Sequence, residues 1–361
     1  MLAAILSANF YVFYRTAQLL PQMPAIKIIL GIFAVLAVGS LFTGILAGDK
    51  LPMSLATFVY KLGTSWIFIM LYMLMIFLVL DIGRLVRLVP MDFFRPDWIK
   101  FGVIAGITCI IMVCGYINYT NKARTEINIT TKKQLEQPVK IVAISDLHMG
   151  YGIGRNEVRK WVELINNEKP DIVIIAGDAI DNSLRPLIEN NMADVLQGIK
   201  ARWGVFASPG NHEYISGIDE SVEFLRSAGI TVLKDSVAMP DSILYIAGRD
   251  DLTNSRRKSL EALLENTDRD KPIIVADHQP HHLEEAENNG IDLQFSGHTH
   301  RGQIWPISWI TDRIFEDSYG LIHKGKTAVY VSSGIGIWGG KFRIGTKSEY
   351  VVINLIPEAI N

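Results

Sequence analysis

At 361 residues the chain has room for two domains, or for one domain and a membrane anchor. Its 35 basic and 37 acidic side chains leave a net charge of −2, which excludes a nucleic-acid binder held by bulk positive charge. Mean hydropathy is +0.23, high for a soluble enzyme, and the long apolar runs fall almost entirely within residues 1–120. Both cysteines, Cys109 and Cys114, sit in one apolar run, so no disulfide framework is expected.

Residues 28–48, 62–80 and 101–119 are free of charge and long enough to cross a hydrocarbon core of about 30 Å at about 1.5 Å per residue. Residues 1–20 are apolar apart from Arg15 and read as a first, weaker span ending at Pro21. No basic stretch precedes them as in a cleaved signal peptide. The expectation is therefore a four-helix transmembrane module over residues 1–120, contacting membrane lipids, in a multi-pass membrane protein. Four spans would put the N-terminus and the large C-terminal part on one side. Arg84, Arg87, Arg95 and Lys100 favour the cytoplasm for one set of loops, while Lys122, Arg124, Lys132 and Lys133 favour the other. The count leaves the side of the catalytic part open.

Residues 121–138 are polar and read as a linker or edge strand. From residue 139 to 361 short β-branched runs such as "VKIVAIS", "DIVIIAG" and "KPIIVAD" alternate with amphipathic segments such as "RNEVRKWVELINNEK". A probable helix is placed at 186–200. Strands buried on both faces give continuous apolar runs, and helices of 3.6-residue period cover them, so the class is α/β.

Polar residues gather where those runs stop. Asp146 and His148 follow the first strand, Asp178 the second, Asn211 and His212 the third, His278 a later one, and His298 and His300 the last. Five of the chain's eight histidines belong to this set. Groups at the carboxyl ends of strands in open α/β sheets can converge on one crevice. Carboxylate, carboxamide and imidazole without thiolate suit Mn, Fe or Zn. Seven such groups are too many for one ion and right for two, with Asp178 able to bridge cations about 3.5–4 Å apart. A bridging water would then serve as nucleophile, and His212, beside Asn211, is placed as proton donor.

The blocks "DLH", "GDAID", "GNHE", the His278 of "DHQP", and "GHTH" resemble, in order, the signature of calcineurin-like metallophosphoesterases, over about 60% of the chain. The resemblance implies a β-sandwich flanked by helices. It assigns Asp146, His148, Asp178 and His300 to one metal and Asp178, Asn211, His278 and His298 to the second, with His212 catalytic. The membrane-spanning front and the ending "SSGIGIWGGKFRIGTKSEYVVINL" narrow it to a bacterial membrane-associated branch. Some relatives there cleave the pyrophosphate of UDP-2,3-diacylglucosamine in lipid A synthesis. The implied function is a membrane-anchored di-metal hydrolase of phosphodiester or pyrophosphate bonds, acting on a phosphate-ester substrate that is lipid-linked in such relatives.

Arg301 stands where such relatives often have glycine and is a candidate contact for substrate phosphate. Asp181 and Glu213 are expected to support the ligands rather than to bind metal, and Asp277 to be structural. Trp305, Trp309 and Trp338 could form an apolar lip. The competing class, a non-catalytic membrane scaffold that keeps the fold, would show a missing ligand or a missing His212. Neither is missing. Transport through the spans is disfavoured by their few ionisable residues.

Overall fold

The computed structural model describes residues 2–358. The chain divides into two units, one of residues up to 117 together with 339–342, the other of residues 118–338 and from 343 onward.

The first unit holds α1 (Leu2–Leu19), α2 (Pro24–Leu46), α3 (Met53–Leu85) and the greater part of α4 (Trp98–Thr120). Among the described residues three helices, α2, α3 and α4, are long and apolar enough to cross a membrane, not the four expected. The first helix falls short because Asn9, Arg15, Thr16 and Gln18 interrupt its apolar surface. Those groups work inside the bundle instead. Asn9 accepts a 2.8 Å hydrogen bond from Trp66 Nε1, and Arg15 pairs with Asp81 at 2.5 Å. Asp81 itself lies within α3, which runs five residues past the expected span end at residue 80. With three spans the parity argument that put both chain ends on one side no longer holds.

Among the described residues the second unit contains twelve strands in chain order: β1 (Ala123–Thr131), β2 (Val139–Ile144), β3 (Ile172–Ala176), β4 (Val205–Ser208), β5 (Thr231–Val232) and β6 (Ser236–Ala238) come first. There follow β7 (Tyr245–Gly248), β8 (Ile273–Ala276), β9 (Leu293–Ser296), β10 (Gly320–Lys324), β11 (Thr327–Val331) and β12 (Glu349–Pro357). They form two six-stranded sheets, ordered β1-β12-β2-β3-β4-β5 and β10-β11-β9-β8-β7-β6. Strands β2 to β5 run parallel, as do β7, β8, β9 and β11. The stretch 121–138, read as a linker or edge strand, holds an edge strand over Ala123–Thr131, paired parallel with β12.

Alternation decides which side of each strand meets what. Ile141, Ala143, Ile172 and Ile174 of the first sheet share one buried cluster with Ile246, Ile274, Leu293 and Ala328 of the second, so the sheets pack face to face. Val142, Ile144, Val173 and Ile175 point the other way, against α5 (Arg155–Asn167), α7 (Met192–Leu196) and α9 (Ile218–Ser227). Between α5 and α7 lies α6 (Arg185–Glu189), and α8 (Asn211–Ile215) precedes α9. The second sheet's outer face is covered by α10 (Leu260–Leu263) and α11 (Glu284–Asn288), and α12 (Ile307–Ile314) follows β9. The resulting β-sandwich with flanking helices is the fold expected. The helix read at 186–200 is broken in two at Asn191, whose φ of 48° lies in the left-handed region that asparagine tolerates.

Candidate active site

The carboxyl ends of β2, β3 and β4 in one sheet and of β8 and β9 in the other open at the same end of the sandwich. Each carries its polar residue within four positions of the strand end, because the parallel connections leave all five ends on one edge. Among the described residues three sets of side chains have ligand atoms within 4.8 Å of one another: Asp146, His148 and His300; His148, Asp178 and His212; Asp178, His278 and His298. The sets chain together through His148 and Asp178. Asn211 joins the last set, its Oδ1 lying 2.9 Å from His298 Nδ1.

Side chains usually kept apart are held close here. His148 Nε2 lies 3.0 Å from His300 Nε2 and 3.7 Å from Asp178 Oδ2, and His300 Nε2 is 3.5 Å from Asp146 Oδ1. Asp146, His148, Asp178, His298 and His300 all have φ between 45° and 68°. Such left-handed backbone costs a non-glycine residue about 1–3 kcal/mol and persists where the surrounding structure enforces it. Glycine makes the room at Gly210, where a Cβ would stand 2.3 Å from Asp178 Oδ1.

The donor set fits a divalent metal. His278 is fully buried, its Nδ1 lies 2.9 Å from the Ala176 carbonyl, and its Nε2 faces Asp178 Oδ2 at 3.0 Å without hydrogen-bond geometry. Fixing Nδ1 on a carbonyl leaves Nε2 as the coordinating atom. Burial opposes charge on this ring, but Asp178 and Asp146 outweigh it and raise its pKa well above the ordinary value. Carboxylates that draw a proton onto a buried imidazole would draw a cation to the same place. Burial, aided by His278, lowers His298 to about 4. Burial and His148 hold His300 well below its ordinary range, so both rings keep free lone pairs at neutral pH.

His212 differs from its neighbours. Its backbone N–H donates to Asp178 Oδ1 at 2.9 Å, and its Nδ1 sits 3.0 Å from the Asp181 carbonyl and 3.4 Å from Asp181 Oδ1. Burial works against the charged ring, but the bond to Asp181 and the charge of Asp178 raise its pKa to about 9. At neutral pH the ring is a cation with a proton to give. Glu213 beside it takes three backbone N–H groups, from Asp178 at 3.0 Å, Ile180 at 2.9 Å and Gly210 at 2.6 Å, tying the β3 and β4 loops together. Asp277 turns away from the centre into ion pairs with Arg249 and Arg257 at 3.1 and 3.0 Å.

A cleft of about 310 Å³ opens over the cluster, where His148, Asp178, His298 and His212 meet the apolar Ile307 and Trp338. Arg301 is not among the lining residues. With φ at 49°, its guanidinium lies 4.6 Å over the Tyr319 ring. Arg343 belongs to no motif in the chain. Fully buried, it donates to the carbonyls of His300 at 2.7 Å, Ser333 at 2.5 Å and Gly336 at 3.0 Å. It thereby pins the glycine-rich loop under Asp146, where a Cβ on Gly336 would lie 2.4 Å from the Asp146 carbonyl oxygen. A single arginine between Phe342 and Ile344 carries no local signal of that role.

Fold and site together set a cluster of potential metal ligands at one end of a β-sandwich. Residues 139–302 match the calcineurin-like phosphoesterase family, and the chain belongs to it. It is 33% identical over 226 residues to an uncharacterized metallophosphoesterase of Aquifex aeolicus, covering 60% of this chain and 85% of that one. It is 31% identical over 268 residues to a transmembrane protein with metallophosphoesterase domain of Danio rerio, covering 69% and 61%. A third relative, phosphodiesterase YaeI of Escherichia coli, is 27% identical over 259 residues, covering 67% and 92%. Further bacterial relatives are matched over only 60% to 66% of their own length. With three apolar helices and relatives of this kind, the chain is a membrane protein.

Proposed function

We propose that the protein is a multi-pass di-metal phosphoesterase of the cell membrane that hydrolyses the phosphodiester or pyrophosphate bond of a lipid-linked substrate, of the class of UDP-2,3-diacylglucosamine. The observation that supports it most is the convergence of seven potential ligands around His148 and Asp178, with His212 Nδ1 held 3.0 Å from the Asp181 carbonyl among them. Asp146, His148, Asp178 and His300 would hold one divalent cation of the Mn, Fe or Zn kind, and Asp178, Asn211, His278 and His298 a second. When bound, such ions polarise the phosphoryl oxygens and lower the pKa of water.

The chain's own groups do the rest. His212 is poised to donate its proton to the departing oxygen, which a cationic ring held by Asp181 can do at neutral pH. Glu213 and Arg343 hold the ligand loops in register so that the ligands need not reorganise. The cleft joins a polar floor to the apolar Ile307 and Trp338, as an amphiphile with one anionic end requires. A diester preference is supported by the likeness to a relative named as a phosphodiesterase.

The test is hydrolysis of a simple aryl phosphodiester and its matching monoester by the detergent-purified chain, with Mn²⁺ or with a chelator. Diester cleavage that needs metal and disappears in His298→Ala is expected. Activity that survives both chelator and substitution would refute the assignment of the site.

A further inference from the structure

Helix α12 has two unlike faces. Ile307 and Thr311 line the catalytic cleft, whereas Trp309, Ile310 and Ile314 are 63%, 56% and 64% exposed. Trp305, 39% exposed, packs its ring edge-on against Trp309 at 5.4 Å. Elsewhere between residues 118 and 338 the exposed large apolar side chains are Ile188, Ile215, Met239 and Leu321, which lie far apart in sequence. Isolated exposed apolar residues need no explanation, but a contiguous set beside a cleft does.

We infer that α12 is a membrane-contact helix: Trp305, Trp309, Ile310 and Ile314 seat in the interfacial layer of a lipid bilayer and hold the catalytic cleft at headgroup level. The partner is a bilayer rather than another protein because this domain is never far from one. Span α4 ends at Thr120 and β1 begins at Ala123, leaving residues 121 and 122 between them, which reach no more than about 7 Å. The anchor is short at the domain end too, since Asn118 Nδ2 donates to the carbonyls of Arg343 and Thr346 at 2.8 and 2.7 Å. Tryptophan favours the layer where an apolar ring and a polar N–H are both satisfied.

This deepens the phosphoesterase reading and rests on it for one consequence: the substrate is an amphiphile whose phosphate enters from the headgroup layer while its acyl chains stay in the bilayer beside α12. No acyl chain then has to be lifted into water before the bond is cut.

The contact can be tested without relying on activity. The full chain carrying Cys109→Ser and Cys114→Ser is given one new cysteine, by Trp309→Cys or, as a control on the exposed surface, by Glu265→Cys. Each is labelled with an environment-sensitive fluorophore in nanodiscs of phosphatidylcholine and phosphatidylglycerol. Brominated acyl chains should remove most of the emission at position 309 and leave position 265 unchanged. Equal responses at the two positions, or protection of 309 from both bromolipid and soluble iodide as a protein neighbour would give, overturns the inference.

A kinetic arm separates this result from the underlying reading. The triple variant Trp309→Ser, Ile310→Ser, Ile314→Ser should keep cleavage of a soluble aryl phosphodiester and lose about tenfold on a phosphodiester lipid in the same nanodiscs, as expected for a lost local concentration effect. Equal rates of variant and wild type on the lipid overturn the substrate consequence. A wild type inert on every phosphoester refutes the phosphoesterase reading, while the quenching still decides the contact.

Discussion

Glu213→Gln is the substitution whose cost the structure defines most closely. The wild-type carboxylate is buried and accepts three backbone N–H groups, two on Oε2 from Asp178 and Gly210 and one on Oε1 from Ile180. A glutamine keeps one oxygen. Placed at the Oε2 position, it retains the Asp178 and Gly210 bonds in neutral form and turns its NH₂ toward the Ile180 N–H. One buried donor then loses its acceptor, and two charge-assisted bonds become ordinary ones. An orphaned buried donor costs about 1–3 kcal/mol. Burial and the charge of Asp178 raise the Glu213 carboxyl to about 7, so above that pH the amide also escapes the cost of a buried charge. A net loss of about 1–3 kcal/mol is therefore expected at pH 6, narrowing as the pH rises past 7. For a domain of this size that is a fall of about 2–12 °C in Tm at pH 6. The assay is thermal unfolding of the full chain in detergent, metal-loaded and after chelation. Because the N–H of Asp178 is one of the three, the metal-induced rise in Tm should shrink as well. A Glu213→Gln chain within about 0.5 kcal/mol of wild type in both states, the scatter of an ordinary surface substitution, would refute the latch.

Three further outcomes follow from named groups. His278→Ala should lower bound divalent metal, measured by elemental analysis, by about one equivalent per chain, because a ligand with its outer nitrogen already fixed on Ala176 is lost. His212→Ala should leave that metal content unchanged and cut kcat on the aryl diester by about 10²–10⁴, the usual weight of a positioned proton donor. Asp317 gives a pH test. Burial, with Glu316 and Asp312 nearby, raises its carboxyl to about 6, and its Oδ2 is buried without a hydrogen-bond partner. A carboxyl pKa higher in the folded than in the unfolded chain destabilises as pH rises from about 4 to 6 and stays costly above that. Asp317→Asn should therefore be more stable than wild type by about 1–2 kcal/mol at pH 7.5, with the gain gone at pH 4. A gain that persists at pH 4 would point to packing instead of charge.

The family and the residues that meet at the candidate site were legible in the chain because both rest on local pattern. Apolar runs such as 139–144 and 172–176 are strands buried on both faces, and each ligand lies within a few residues of its strand end. Span counting was less secure. Composition makes α1 look like a membrane helix, and only the placement of Asn9 against Trp66 and Arg15 against Asp81 shows its polar groups serving the bundle. The edge strand at 123–131 was ambiguous for a similar reason, since a polar strand with one paired side looks like a linker until β12 is set beside it. Arg343 and Arg301 show the same limit from opposite directions. One arginine with no motif around it proved to tie His300 to the 333–336 loop, and the one beside the histidine pair stacks on Tyr319. Sequence alone determined which residues could bind metal, because ligand chemistry belongs to the side chain. Only the tertiary structure decided which of them meet, which nitrogen is left free and which apolar face stays uncovered, because those depend on contacts between segments far apart in the chain, such as His148 and His300, 152 residues apart.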